Sequence, residues 1–166
     1  MWTIQAAVIS IALVAACTDV DDTATQIGAR ARAYRGLDKV NAHDFPTAQH
    51  QGNPQVNVWT DELASSPYRA LSVGSSTAGA VPEGGMIVKE MLDPEGGPPL
   101  LTVMVRQPVG YDPANGDWWY GRLNADGSAT NAKFVGRVGF CIGCHRGAAG
   151  RDHLFGVAAD NLTPSP

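Results

Sequence analysis

Five consecutive residues, Cys141-Ile142-Gly143-Cys144-His145, carry the most specific chemistry in the chain. Two thiols separated by two residues and followed at once by an imidazole form the CxxCH pattern of covalent c-type haem attachment. The spacing suits addition of both thiols across the two vinyl groups of one porphyrin, with the adjacent imidazole beneath the iron as proximal ligand. The expected cofactor is therefore one haem c, bonded through Cys141 and Cys144, with His145 as the iron ligand. Other uses of the pattern compete. A structural zinc needs two further ligands, and only His43, His50 and His153 are on offer, with no second CxxC. A thioredoxin-like dithiol belongs in a βαβ setting that this part of the chain does not provide. A plain disulfide between the two cysteines is open in an oxidising compartment.

The group on the other face of the iron decides the function. A Met there makes a low-spin electron carrier of raised potential, and Met86, Met91 and Met104 are the candidates. Small helical carriers place the motif early and the Met far downstream, whereas here no Met follows the motif. That disfavours the helical carrier fold and leaves these Met residues as ordinary core filling. A six-coordinate electron-transfer cytochrome stays as an alternative.

Ile4 to Ala16 are almost all apolar or small, too short a run for a comfortable membrane span and suited to a signal-peptide core. The run ends Leu13-Val14-Ala15-Ala16-Cys17, which resembles the bacterial lipoprotein cleavage box. Met1-Trp2-Thr3-Ile4-Gln5 lacks the usual basic residues, so an apolar N-terminal helix with a buried Cys is the competing reading. The expected organisation is a signal peptide over 1–16, lipidation at Cys17, a polar tether over 17–25 and a haem domain over 26–160. Membrane association would then run only through the N-terminal lipid, and the expected location is the periplasm. Covalent haem attachment also happens outside the cytoplasm, in keeping with export.

The elements that must position this chemistry follow from composition and patterning. The chain has 166 residues, 44% hydrophobic and 17% charged, which suits one packed domain. Lys and Arg number 12 against 16 Asp and Glu, a formal charge of −4 that excludes a nucleic-acid partner. The 19 Gly and 11 Pro favour a turn-rich, strand-rich fold over a helical bundle. Residues 24–41 read as a helix, with Ile27, Ala31, Tyr34, Leu37 and Asn41 near one face and Phe45-Pro46 beyond it. Alternation over 56–60 predicts a short strand, and Thr60 or Asp61 can cap a helix to about Leu71 that contains Pro67. After a loop over 72–85, strands are expected at 86–92, 100–106 and 118–123, the second apolar on both faces and therefore central. A hairpin turn at 124–128 leads to a weaker strand over 133–138. The expected fold class is mainly β (α+β): an antiparallel sheet meander with a few flanking helices and a C-terminal CxxCH haem segment.

An ordered set of segments then resembles the cytochrome P-460 family. Gly84-Gly85-Met86-Ile87-Val88-Lys89-Glu90 is similar to its Gly-x-x-Val-Lys-Glu strand. Val56-Asn57-Val58-Trp59 with Ala64 and Tyr68 resembles an earlier strand and helix. Gly110-Tyr111-Asp112-Pro113 and Gly116-Asp117-Trp118-Trp119-Tyr120 resemble its Gly-x-Trp-x-Tyr strand, and the CxxCH run with Asp152 and Phe155 resembles its haem segment. The likeness covers roughly residues 55–156, and only CxxCH is strong by itself. It implies a mainly antiparallel β fold with five-coordinate haem. In cytochromes P-460 a Lys side chain is also bonded to the porphyrin edge, and the matching residue is Lys89. Such proteins oxidise hydroxylamine and bind nitric oxide. The related cytochromes c-prime-beta lack the crosslink and bind small gases. The resemblance thus implies a hydroxylamine or nitric-oxide oxidoreductase with a redox partner cytochrome, or alternatively a non-enzymatic gas binder. It also brings a homodimer into view, although no self-complementary face is legible in the residues.

Lys89 is unusual on its own terms, since alternation places it on one face with Ile87 and Met91. Such a Lys either snorkels to water or sits in a dry pocket where its neutral amine can act as a nucleophile. Glu90, on the opposite face, reads as a solvated charge or a partner for an Arg. Arg106, Arg122, Arg137 and Arg146 are candidates for haem propionates or plain surface, and Phe134, Phe140, Trp118 and Trp119 for pocket walls or sheet core. His153 reads as an exposed side chain rather than a second axial ligand. One departure from the resemblance matters. Hydroxylamine-oxidising members can carry a carboxylate just before CxxCH, and Arg137-Val138-Gly139-Phe140 offers none. Proton removal would then need water or another carboxylate.

Overall fold

The computed structural model describes residues 20–47, 50, 54–71 and 79–164. The expected signal peptide, Cys17 and the first part of the tether lie outside the described residues, as does the first half of the loop over 72–85. Among the described residues the elements run α1 (Val20–Ala31), β1 (Asp38–Lys39), β2 (Phe45–Pro46), β3 (Gln55–Thr60), α2 (Glu62–Ala70), β4 (Met86–Met91), β5 (Leu100–Arg106), β6 (Trp118–Asn124), β7 (Val135–Gly136) and α3 (Gly139–His145). The seven strands form one antiparallel sheet ordered β1-β3-β4-β5-β6-β7, with β2 sharing the outer edge of β3. The protein is α+β, and its strands meander as the turn signals predict. The strand β5, apolar on both faces in the sequence, is indeed enclosed by β4 and β6.

The sheet carries a core on each face, because alternate side chains of every strand point in opposite directions. On one face Met86, Val88, Leu101, Val103, Val105 and Trp119 pack beneath Ile27, Ala31 and Tyr34. On the other, Ile87, Met104, Trp118 and Tyr120 meet Ala64 and Tyr68 of α2 and Ile142 of α3. The helix α2 begins where Asp61 accepts a hydrogen bond from the Ala64 N–H at 3.0 Å, as the capping pattern predicts, and it accommodates Pro67.

Two elements differ from the sequence expectation. The helix expected over 24–41 runs instead from Val20, inside the expected tether, to Ala31, and a single tight turn (Tyr34–Gly36) leads into β1. Pairing of Asp38 and Lys39 with β3, and the anchoring of Tyr34 on Glu90 at 2.5 Å, hold this stretch out of the helix. The apolar spacing of Tyr34 and Leu37 therefore belongs to two different elements. The expected strand over 133–138 shrinks to β7. Residues Ala132–Phe134 instead form a turn held by Asn131, whose side chain accepts from the Lys133 N–H at 2.9 Å.

Glu90 meets one of its two sequence readings, a partner for an Arg, and not the other. It is only 3% exposed and not solvated. Its carboxylate accepts from Tyr34 Oη (2.5 Å), Arg35 Nη2 (2.9 Å), Asn57 Nδ2 (3.1 Å) and Trp59 Nε1 (3.3 Å). Burial alone would raise its pKa, but the four donors outweigh that and hold it below its ordinary value of 4.5. A depressed carboxylate stabilises the fold above its unfolded pKa and loses that contribution as pH falls through the folded one. Stability should therefore decline below about pH 4.5. Glu90→Ala should cost about 3 kcal/mol by orphaning buried donors, measured by urea denaturation at neutral pH, and should flatten the acid decline. An acid decline equal to that of the unsubstituted protein would contradict this assignment.

Candidate functional site

A cavity of about 890 Å³ opens on the α2 face of the sheet. Ligand sites span roughly 300–1,000 Å³, so this one is large enough for a sizeable flat ligand. Its walls are mainly apolar, among them Ile87, Met91, Met104, Phe134, Phe140 and Phe155. Cys141, Cys144 and His145 from α3 and Lys89 from β4 all line it. Residues remote in sequence, singled out for their chemistry, are thus brought into one space.

The imidazole of His145 is oriented by the backbone. Its Nδ1 lies 2.6 Å from the His153 carbonyl oxygen. A carbonyl only accepts, so Nδ1 carries the proton and Nε2 keeps its lone pair, the tautomer a metal-binding His needs. Burial foremost pushes the His145 pKa down to about 4, with the His153 carbonyl opposing and Lys89 and His153 reinforcing, so the ring is neutral at neutral pH. Phe155 and Tyr120 stand beside it, ring centroids 5.2 and 5.3 Å away.

The orienting carbonyl is itself braced. Asp152 and His153 both have left-handed backbone, φ 55° and 60°, a costly conformation for residues other than glycine. Asp152 is held by Arg106, which also donates to the carbonyls of Gly116 and Val81, while its second carboxylate oxygen accepts from the Val81 N–H at 2.8 Å. Trp118 Nε1 donates to the Asp152 carbonyl at 3.0 Å. Gly116 (φ 68°) is required here, since a Cβ would come within 2.7 Å of the His153 ring. His153 is therefore not the exposed side chain read from the sequence. It is buried, and it serves the site through its backbone.

Lys89 is half-buried among the apolar walls, and burial lowers its pKa to about 8, with Cys144 opposing. The Cys141 thiol is raised to about 11, chiefly by burial. His50 also lines the cavity, with Nδ1 3.3 Å from Thr47 Oγ1. Burial foremost, then electrostatic interaction with Lys89, His145 and Arg122, pushes its pKa down to about 4. Nothing in its polar surroundings in the sequence distinguishes it, apart from its being a His.

The remaining candidates separate cleanly. Arg106 is committed to Asp152, Arg146 donates from Nε to Asn115 at 2.8 Å and Arg137 lies over the Tyr111 ring, leaving Arg122 on the cavity wall. Phe134 and Phe140 line the cavity, whereas Trp118 and Trp119 are buried in the two cores. Met91 and Met104 reach the cavity, while Met86 belongs to the α1 face. Among the described residues no three His, Cys, Asp or Glu side chains gather to hold a metal ion by themselves. Set beside known proteins, the chain matches no family model, no curated protein and no solved structure.

The Arg106–Asp152 pair is well buried, with side-chain exposures of 13% and 11%. Removing one partner of such a pair costs about 3–5 kcal/mol. Asp152→Ala and Arg106→Ala should each lower unfolding stability by about that amount, and the double variant by clearly less than the sum. Additive losses in urea denaturation would contradict the brace.

Proposed function

We propose that this chain is an exported c-type monohaem protein acting on or binding small nitrogen species, hydroxylamine and nitric oxide, in the manner of cytochrome P-460. The observation that carries the reading is that Cys141, Cys144, His145 and Lys89 line one apolar cavity of suitable size. The residues present fit a covalently held porphyrin. Cys141 and Cys144 are three apart on α3, hence on one side of it, and His145 follows with a lone pair on Nε2. The apolar walls suit the faces of a flat ring.

When bound, a haem supplies an iron centre that exchanges electrons and takes small ligands. The chain's own residues do the rest. His145 offers Nε2 as proximal ligand, and its bond to the His153 carbonyl fixes the ring orientation and raises its basicity. Lys89, with its pKa lowered to about 8, holds a larger share of neutral amine at neutral pH than an ordinary lysine and is the candidate for a bond to the ring edge. In this reading the N-terminal segment 1–16 is cleaved, Cys17 carries a lipid, and the protein works in the periplasm with a redox partner cytochrome, as a monomer or homodimer.

The gas-binding alternative is favoured by one observation. Asp93 is the sole carboxylate lining the cavity among the described residues, and it is exposed and tied to its own turn through the Glu95 N–H at 3.0 Å. A proton acceptor for hydroxylamine oxidation is thus poorly supplied. The visible spectrum of the purified protein separates the readings. The enzyme form should show high-spin ferric iron and a red-shifted Soret band that Lys89→Ala abolishes. A normal c-type spectrum unchanged by Lys89→Ala selects the gas binder. Low-spin six-coordinate iron, lost on substitution of Met91 or Met104, contradicts both.

A further inference from the structure

On the cavity wall formed by β6, two buried polar atoms have no hydrogen-bond partner among the described residues. Tyr120 is 2% exposed, and its hydroxyl has no hydrogen-bond partner. Arg122, two residues on and so on the same face, has a buried Nε that is likewise without a partner. Buried donors left unsatisfied are costly, so each marks a place where something else supplies the acceptor. The strand register extends the feature. Arg122 is opposite Thr102, and Thr102 is opposite Lys89, so a polar row crosses the floor of an otherwise apolar cavity. Set against this, the only lining carboxylate among the described residues is Asp93, exposed on its own turn. The cavity is rich in donors and poor in acceptors, in a protein whose net charge is −4.

We infer that Arg122, with the Thr102 position opposite it, forms an oxyanion-binding site on the cavity wall. The guanidinium suits a planar carboxylate or nitrite-like group through paired, charge-assisted hydrogen bonds. The site rests on the haem reading above in one respect, since its oxyanion comes either from a carboxylate borne by the ring or from a free anion that enters beside it. Arg122 is singled out because it lines the cavity and its buried Nε meets no acceptor among the described residues, whereas Arg106 and Arg146 donate to Asp152 and Asn115; its other contact is with the Phe134 ring, 6.0 Å from the guanidinium.

Haem-loaded protein tests this with sodium nitrite as the probe. The variants are Arg122→Gln, which removes the charge, and Arg122→Lys, which keeps it and controls for folding. Nitrite affinity is read from the ferric spectrum at two salt concentrations, and the reduction potential is read across pH. If a ring carboxylate fills the site, Arg122→Gln lowers the potential and shifts its pH dependence, Arg122→Lys restores most of it, and nitrite affinity stays within twofold. If a free anion fills it, Arg122→Gln weakens nitrite at least tenfold and removes its salt dependence, while the potential without nitrite is unmoved. A haem-loaded protein whose potential and nitrite affinity both ignore Arg122 overturns the site alone. Protein that matures without haem overturns the haem reading and this site with it.

Discussion

Glu90 fixes the register on which the site depends. Successive side chains of a strand face opposite ways, so β4 cannot present Lys89 to the cavity without presenting Glu90 to the α1 side. Four donors converge on that carboxylate, two from the segment after α1 and two from β3. A slip of one residue would bury Lys89 beneath α1 and thrust Glu90 among Met104 and Tyr120. The polar cluster on one face is therefore what keeps the other face fit for an apolar ligand. Through the ladder the same register sets Thr102 and Arg122 beside Lys89.

A second support holds the C-terminal segment to the sheet. Arg106, at the end of β5, grips Asp152 and two backbone carbonyls, and this grip sustains two successive residues in left-handed backbone. The result is a carbonyl aimed at His145 Nδ1. The chemistry of the motif thus relies on a residue in mid-sheet, far away in sequence. The two supports act on opposite faces, one on the strand carrying Lys89 and one on the segment carrying the orienting carbonyl.

Much of this was legible in the residues. Alternation and turn chemistry placed β3 to β6 and α2, since strand period and caps are local signals. Lys89, Cys141, Cys144 and His145 were singled out by type and spacing, and the fold gathers them at one cavity. What escaped was set by distant partners. Tyr34 looked helical because its spacing matched Ile27 and Ala31, yet its hydroxyl serves Glu90. For Glu90 an Arg partner was one reading, yet no sequence pattern announces four converging donors. His153 acts through its carbonyl, to which side-chain identity is blind, and His50 comes to the cavity by tertiary folding alone.

The central claim is that α3 holds a porphyrin by two thioethers beside an oriented imidazole. Intact mass spectrometry under denaturing conditions, on protein matured in an exporting host with cytochrome c assembly, tests it most directly. The account predicts a mass increased by one haem in the unsubstituted chain, with the increase lost in the Cys141→Ala/Cys144→Ala variant. A colourless protein at the mass of the bare processed chain would contradict it.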